Sequence, residues 1–137
     1  MTNIFSNKKI LVAGGTGLVG QQLVPKLIDL GGKVFVASLD DKSLVNNKIE
    51  DFYNLDLINL DNCIKITKDK EIVFNLLGVT GSPKINLEKP ASFMMSNIYC
   101  AINLLVAAQI SKVKKYLYTS TYGVYGHSPI MKEDDVW

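Results

Sequence analysis

Seven consecutive residues carry the strongest chemical signal in this sequence: Gly14-Gly15-Thr16-Gly17-Leu18-Val19-Gly20. They satisfy G-x-G-x-x-G through Gly15, Gly17 and Gly20, and the wider G-x-x-G-x-x-G through Gly14, Gly17 and Gly20. Glycine at these places lets the chain turn tightly. It also lets backbone N–H groups approach a diphosphate that a Cβ would hold away, and lets a helix pack closely on a strand. The anion would rest on the positive end of the helix dipole, with the main chain of Thr16, Leu18 and Val19 completing the cradle. A glycine triplet by itself also fits a tight turn with no ligand. Context favours the chemistry: an apolar strand precedes the turn, an amphipathic helix follows it, and acids stand at the end of the next strand. Asp40 lies twenty positions beyond Gly20, the distance at which an acid accepts hydrogen bonds from the adenosine ribose of a dinucleotide. The plainer alternative is that Asp40 and Asp41 cap a solvent-exposed turn.

The elements that must position these residues alternate between strand-length apolar runs and stretches of helical period, the signature of a parallel sheet with crossover helices. Lys9 to Ala13 is the first strand. The spacing of Leu18, Val19, Leu23, Leu27 and Leu30 predicts a helix over 18–30, stopped by Gly31-Gly32, with Pro25 either kinking or shortening it. Lys33 to Leu39 and Phe52 to Leu57 give the second and third strands, Asn59 to Lys68 a short helix, and Glu71 to Leu77 the fourth strand. Lys89-Pro90 opens a long helix with an apolar stripe at Met94, Ile98, Ala101, Leu105 and Ala108, ending near Ser111. Lys115 to Ser120 is the fifth strand, and turn signals alone follow from Thr121 to Trp137. The expected architecture is a three-layer α/β Rossmann fold with a parallel sheet of about five strands in the order 3-2-1-4-5. The cofactor would lie at the switch point between the first and fourth strands.

Composition narrows the class. A chain of 137 residues, 47% hydrophobic and with a formal charge of +2, is the size of one domain with a single core. The nearly balanced charge, with no Lys run interleaved by aromatics, argues against a nucleic-acid or membrane-surface partner and for small-molecule chemistry. Cys63 and Cys100 lie far apart without Cys-x-x-Cys spacing, which predicts reduced, buried thiols and no metal site. The first ten residues have no apolar leader, so the expected location is cytoplasmic.

Together these residues resemble the extended short-chain dehydrogenase/reductase family, which includes NAD-dependent sugar-nucleotide epimerases and dehydratases. Asn54-Leu55-Asp56-Leu57 is similar to the family's third-strand Gly-Asp-Leu element, with Leu55 in place of the glycine; the resemblance implies that Asp56, beside Leu57, meets the adenine amino group. Val73 to Gly78 is similar to the fourth-strand element that passes under the cofactor, with Asn75 where His is common and with Leu76, Leu77 and Gly78 against the ligand. Asn97 to Leu105 resembles the Asn-x-x-Gly-x-x-Asn-Leu-Leu helix, with Cys100 in the glycine position. Thr119-Ser120-Thr121 and Val124-Tyr125-Gly126 resemble the fifth-strand Ser/Thr run and the turn after it. The family's spacing also places Ser38 at the tip of the second strand, with Asp40 and Asp41 just beyond. A small residue there leaves room for a 2′-phosphate. The chain has no Arg, however, Lys42 is the one nearby cation, and the two acids would repel such a phosphate. NAD is therefore favoured, with NADP left open.

The resemblance implies hydride chemistry in which a Tyr-x-x-x-Lys pair supplies the acid or base and a Ser or Thr positions the substrate hydroxyl. Thr121 matches the hydroxyl residue and is the catalytic candidate in this chain. No Tyr has a Lys four residues on, and the pair is expected beyond Trp137. Tyr125 reads as a structural turn residue and His127 as solvated surface. Met94 and Met95 read as core or interface, and Glu133-Asp134-Asp135 as an acidic turn. Three readings follow. The chain is the truncated cofactor-binding portion of an epimerase, dehydratase or reductase acting on a nucleotide sugar; or it is a stand-alone cofactor-binding or regulatory module without turnover; or it is a decayed product whose open fifth strand makes it poorly soluble. A homodimer through helix 90–111 is the expected cover for that helix.

Overall fold

The computed structural model describes residues 3–45, 48–78, 88–125, 130 and 132–135. Gly126 and His127 lie outside the described residues. The elements run β1 (Lys9–Ala13), α1 (Leu18–Asp29), β2 (Lys33–Ala37), β3 (Asp51–Tyr53), α2 (Leu60–Thr67), β4 (Ile72–Asn75), α3 (Pro90–Ile110) and β5 (Lys115–Tyr118), with 3-10 turns at Lys42–Leu44, Tyr122–Tyr125 and Glu133–Asp135. The sheet is parallel throughout, in the order β3-β2-β1-β4-β5. This is the Rossmann order expected from sequence.

The period-two pattern of β1 explains why both faces of the sheet are covered. Ile10 and Val12 point into a core shared with Val24 and Leu27 of α1, Val34 and Val36 of β2, and Phe74 of β4. Leu11 and Ala13 point the other way, into a core with Cys63 and Ile66 of α2, Val73 of β4, and Leu104 and Ala107 of α3. Ile10, Leu11, Val12 and Ala13 are all fully buried.

Helix α2 matches its expected span because Asn59 caps it, its side chain accepting from the amides of Asp61 and Asn62. Helix α1 is continuous through Pro25 to Asp29, so the proline neither shortens nor breaks it. Its buried face is Gly20, Val24 and Leu27, whereas Leu18 is 88% exposed and Val19 and Leu30 are also exposed. The second to fifth strands are all shorter than expected. In each case pairing ends where the chain leaves the ladder to form loops at the carboxyl edge.

Helix α3 corrects the expected stripe. Its buried residues are Leu104, Ala107 and Ala108, while Met94, Met95, Tyr99, Ile102, Leu105 and Ile110 are exposed. The helix carries no charged residue along its length, so periodicity alone cannot say which side faces the sheet. By length and composition it is also apolar enough to cross a membrane, with a mean hydropathy of 1.5 and 17% of that window buried.

At the opposite, amino edge of the sheet, Glu71 bridges Lys8 at 2.9 Å and Lys114 at 3.2 Å, tying the entries to β1, β4 and β5. Nearby, the Lys70 ammonium sits 4.1 Å from the centre of the Phe35 ring, which stacks on Tyr53.

Candidate functional site: a crevice at the carboxyl edge of the sheet

The loop after β1 is shaped by contacts that side chains would prevent. Gly14 adopts a left-handed φ of +80°, and a Cβ there would lie 2.9 Å from the Leu76 carbonyl oxygen. A Cβ on Gly20 would come within 2.5 Å of the backbone of Gly14 and Gly15, so this glycine brings α1 hard against the turn. Gly17 differs. Its hypothetical Cβ meets the Gly14 carbonyl oxygen at 3.4 Å and otherwise projects into open space. Gly17 is also the N-cap of α1, with no side-chain cap. Its own amide donates to the Gly14 carbonyl, but among the described residues no carbonyl accepts from the amides of Leu18 or Val19. The positive end of α1 therefore faces the crevice with free donors.

Beside this turn stands the tip of β2. The Thr16 hydroxyl donates to Asp40 Oδ2 at 2.6 Å and lies 2.6 Å from Ser38 Oγ, which in turn accepts from the Asp40 amide at 3.1 Å. Asn54 pins the same segment by donating to the carbonyls of Leu39 at 3.1 Å and Asp40 at 3.3 Å. Asp41 accepts from the Ser43 amide, and that bond holds its carboxyl below the usual carboxylate range.

Two adjoining cavities open on this edge. One, about 300 Å³, runs from Gly14, Thr16 and Gly17 past Ser38, Leu39 and Asp40 to Leu55, Asp56, Leu57 and Cys100. The other, about 780 Å³, is bounded by Leu18, Val19 and Gly20 on one side and by Phe93, Tyr118, Thr119, Ser120 and Thr121 on the other. Gly14, Gly17, Leu76, Leu77, Gly78 and Asn97 border both.

Polar groups beneath the crevice set the path of its floor. Fully buried Asn75 donates to the Tyr116 hydroxyl at 2.9 Å and accepts from the Leu77 amide at 3.1 Å, so it fixes the chain as it leaves β4. Burial pushes the Tyr116 hydroxyl above its ordinary pKa. Thr119 donates to the Asn75 carbonyl at 3.3 Å, fastening β5 to the same point. Asp56 accepts from the Ile58 amide at 2.9 Å. Burial also raises both thiols, that of Cys63 to about 12.

The model of the NAD-dependent epimerase/dehydratase family matches residues 10–136. The chain belongs to that family. The resemblance to extended short-chain dehydrogenase/reductases is thus borne out. Among curated relatives, the chain is 26% identical to GDP-mannose 3,5-epimerase 1 of Oryza sativa, over 94% of this chain and 36% of that protein. It is 32% identical to the ADP-L-glycero-D-manno-heptose-6-epimerase of Fusobacterium nucleatum, over 93% of this chain and 39% of that protein. Among solved structures, a UDP-N-acetylglucosamine 4-epimerase of Methanobrevibacter ruminantium in complex with UDP-N-acetylmuramic acid superposes with a TM-score of 0.80 at 31% identity, covering 94% of this chain and 43% of that one. The UDP-glucose 4-epimerase of Thermus thermophilus, in complex with NAD, gives a TM-score of 0.77 at 26% identity, covering 88% and 40%. The chain thus spans less than half the length of these relatives.

In this member of the epimerase/dehydratase family, all but one of the residues predicted from sequence to contact cofactor or substrate border the cavities. Gly15 does not: a Cβ there would strike Val36 at 2.7 Å, so its place is packing of the turn on β2. The sequence reading missed Leu39, Leu55, Phe93 and Tyr118 as wall residues. Leu39 and Leu55 each stand one position before a selected acid, a signal that could have found them. Among the described residues no cluster of three or more His, Cys, Asp or Glu gathers as a metal site.

Proposed function

We propose that this chain holds NAD for an epimerase, dehydratase or related oxidoreductase acting on a nucleotide sugar. The observation that carries the reading is the pair of uncommitted amides at Leu18 and Val19 beside Gly17, where a Cβ would make one contact, at 3.4 Å, before entering open space. Those donors suit a diphosphate. In this reading Asp40 accepts from the adenosine ribose, Asp56 and Leu57 border the adenine, and Leu76 to Gly78 run beneath the second half of the cofactor. Asn97 and Thr119 flank that half, and Thr121 positions a substrate hydroxyl. Asp40 would repel a 2′-phosphate, and the chain has no Arg to meet one, so NAD is preferred to NADP. When bound, the cofactor supplies the hydride acceptor.

The test is thermal. A ligand bound only to the native state at a hundred times its Kd adds about 2.7 kcal/mol, which for 137 residues corresponds to a rise of about 9 °C in Tm. No rise with NAD at millimolar concentration overturns the proposal.

The exposed, uncharged side of α3 is proposed to pack against a second copy of the chain. Met94, Tyr99, Ile102 and Leu105 form an apolar surface that a lone domain leaves in water.

A further inference from the structure

The hydroxyls of Thr16 and Ser38 are nearly buried, at 4% and 8% exposure, yet they lie on different loops, one in the glycine turn and one at the tip of β2. The register of the sheet brings them together: Ala13 pairs with Ala37, so the chain emerges from both strands at the same height. The distances there close a ring of hydrogen bonds. The Asp40 amide can only donate, and it donates to Ser38 Oγ at 3.1 Å. The Asp40 carboxylate can only accept, and it takes the Thr16 proton on Oδ2 at 2.6 Å. The remaining proton, on Ser38, has two acceptors within reach, Thr16 Oγ1 at 2.6 Å and Asp40 Oδ2 at 3.2 Å. Both carboxylate bonds recorded for Asp40 fall on Oδ2, leaving Oδ1 without a hydrogen bond among the described residues.

A carboxylate on an exposed loop ordinarily samples several rotamers, and a ligand must select one of them. Here the ring holds Oδ2 against the glycine turn, which orients Oδ1 before any ligand arrives. We infer that Thr16 is a positioning residue: through the Ser38–Asp40 ring it links the phosphate turn to the ribose acceptor and presets Asp40 Oδ1 to take a free 2′-hydroxyl. This rests on the reading that the crevice binds NAD. It assigns to Thr16 a share in choosing between a ribose that bears a 2′-hydroxyl and one that does not, although Thr16 need not touch that hydroxyl.

The experiment measures Kd by calorimetry for NAD and for its 2′-deoxyadenosine analogue, using the full chain and its Thr16→Val and Thr16→Ser variants. Valine keeps the shape and removes the hydroxyl; serine restores it. Losing one hydrogen bond to a charged group weakens NAD binding about tenfold in Thr16→Val, while the deoxy analogue changes less than about twofold. Thr16→Ser binds both ligands like the parent. Equal weakening of both ligands in Thr16→Val would mean that the residue only shapes the turn, and would overturn the inference while leaving NAD binding intact. So would an unchanged NAD affinity. Failure of the parent chain to bind NAD would remove the underlying reading instead. If Thr16→Val does not fold, Thr16→Ala, which also removes the donor to Asp40 Oδ2, carries the same expectation.

Discussion

Replacing Gly17 by alanine should weaken dinucleotide binding and leave the fold nearly unchanged, whereas replacing Gly20 by alanine should do damage that needs no ligand to be seen. Both belong to the same glycine pattern, so a view based on sequence alone treats them alike. The structure separates them. Gly17 has an ordinary φ of −70°, and its added Cβ would make one contact, at 3.4 Å, before entering open space. The expected stability cost is that of a poorer N-cap, about 0.5–1 kcal/mol. Gly20 is different because the added Cβ would stand 2.5 Å from backbone atoms of Gly14 and Gly15, which cannot rotate away as a side chain can. Overpacking of this kind costs about 1–3 kcal/mol, and with rigid backbone as the neighbour the upper end is expected. A chain of 137 residues loses about 3–4 °C of Tm per kcal/mol. Gly17→Ala should therefore melt about 2–3 °C below the parent, and Gly20→Ala about 10 °C below. In calorimetry, Gly17→Ala should bind NAD ten- to hundredfold more weakly, the loss of one charge-assisted hydrogen bond at about 1.5–3 kcal/mol. Parental affinity in Gly17→Ala, or parental stability in Gly20→Ala, would refute the assignment of these two roles.

Other outcomes follow from groups away from the turn. Hydrogen bonds from Lys8 and Lys114 hold Glu71 at about 2, below its ordinary 4.5. The stability it contributes is present above pH 4.5 and is lost as pH falls toward 2. Urea midpoints followed down that range should fall less steeply in Glu71→Gln than in the parent; identical slopes would exclude the bridge as an acid-sensitive tie. Cys63 is fully buried with its thiol raised to about 12, while Cys100 borders the first cavity. Iodoacetamide at about pH 8 should therefore label Cys100 slowly, spare Cys63 until the chain is unfolded, and label Cys100 more slowly still with NAD present. Mass spectrometry of the labelled peptides decides this, and equal labelling of the two native thiols would contradict it. Sedimentation should find a dimer in the parent and a monomer after Ile102→Lys with Leu105→Lys; a parent that is monomeric at the same concentration would dismiss the α3 interface.

The strand order and the glycine turn were legible because both rest on features that survive without tertiary information: period-two apolar runs and glycines required by steric clearance. The orientation of α3 was not legible. With no charge between Pro90 and Ile110, every side of the helix looks equally apolar, and packing against α2 and β4 chooses Leu104, Ala107 and Ala108. Helix α1 shows the opposite failure. Leu18 and Val19 fit the helical period, but they stand at the mouth of the crevice, where apolar residues border a cavity instead of a core. The acid at residue 40 could be found by counting, but its tie to Thr16, twenty-four positions earlier, depends on the pairing of Ala13 with Ala37. Strand ends were overextended because the residues that leave the ladder to form the crevice floor, Leu76 and Leu77, are as apolar as those within it.

The stretch from Leu76 to Gly78, with Gly14 and Gly17 across from it, serves as a common sill between the two chambers. A molecule filling both must cross that sill where Gly14, Gly17 and Gly78 set side-chain-free backbone beside Leu76, Leu77 and Asn97. Two separate halves, an adenosine phosphate on one side and a nicotinamide nucleotide on the other, would each settle weakly and without hindering the other. Joining them through a short diphosphate makes the second docking event local to the first, so the tether itself contributes much of the affinity.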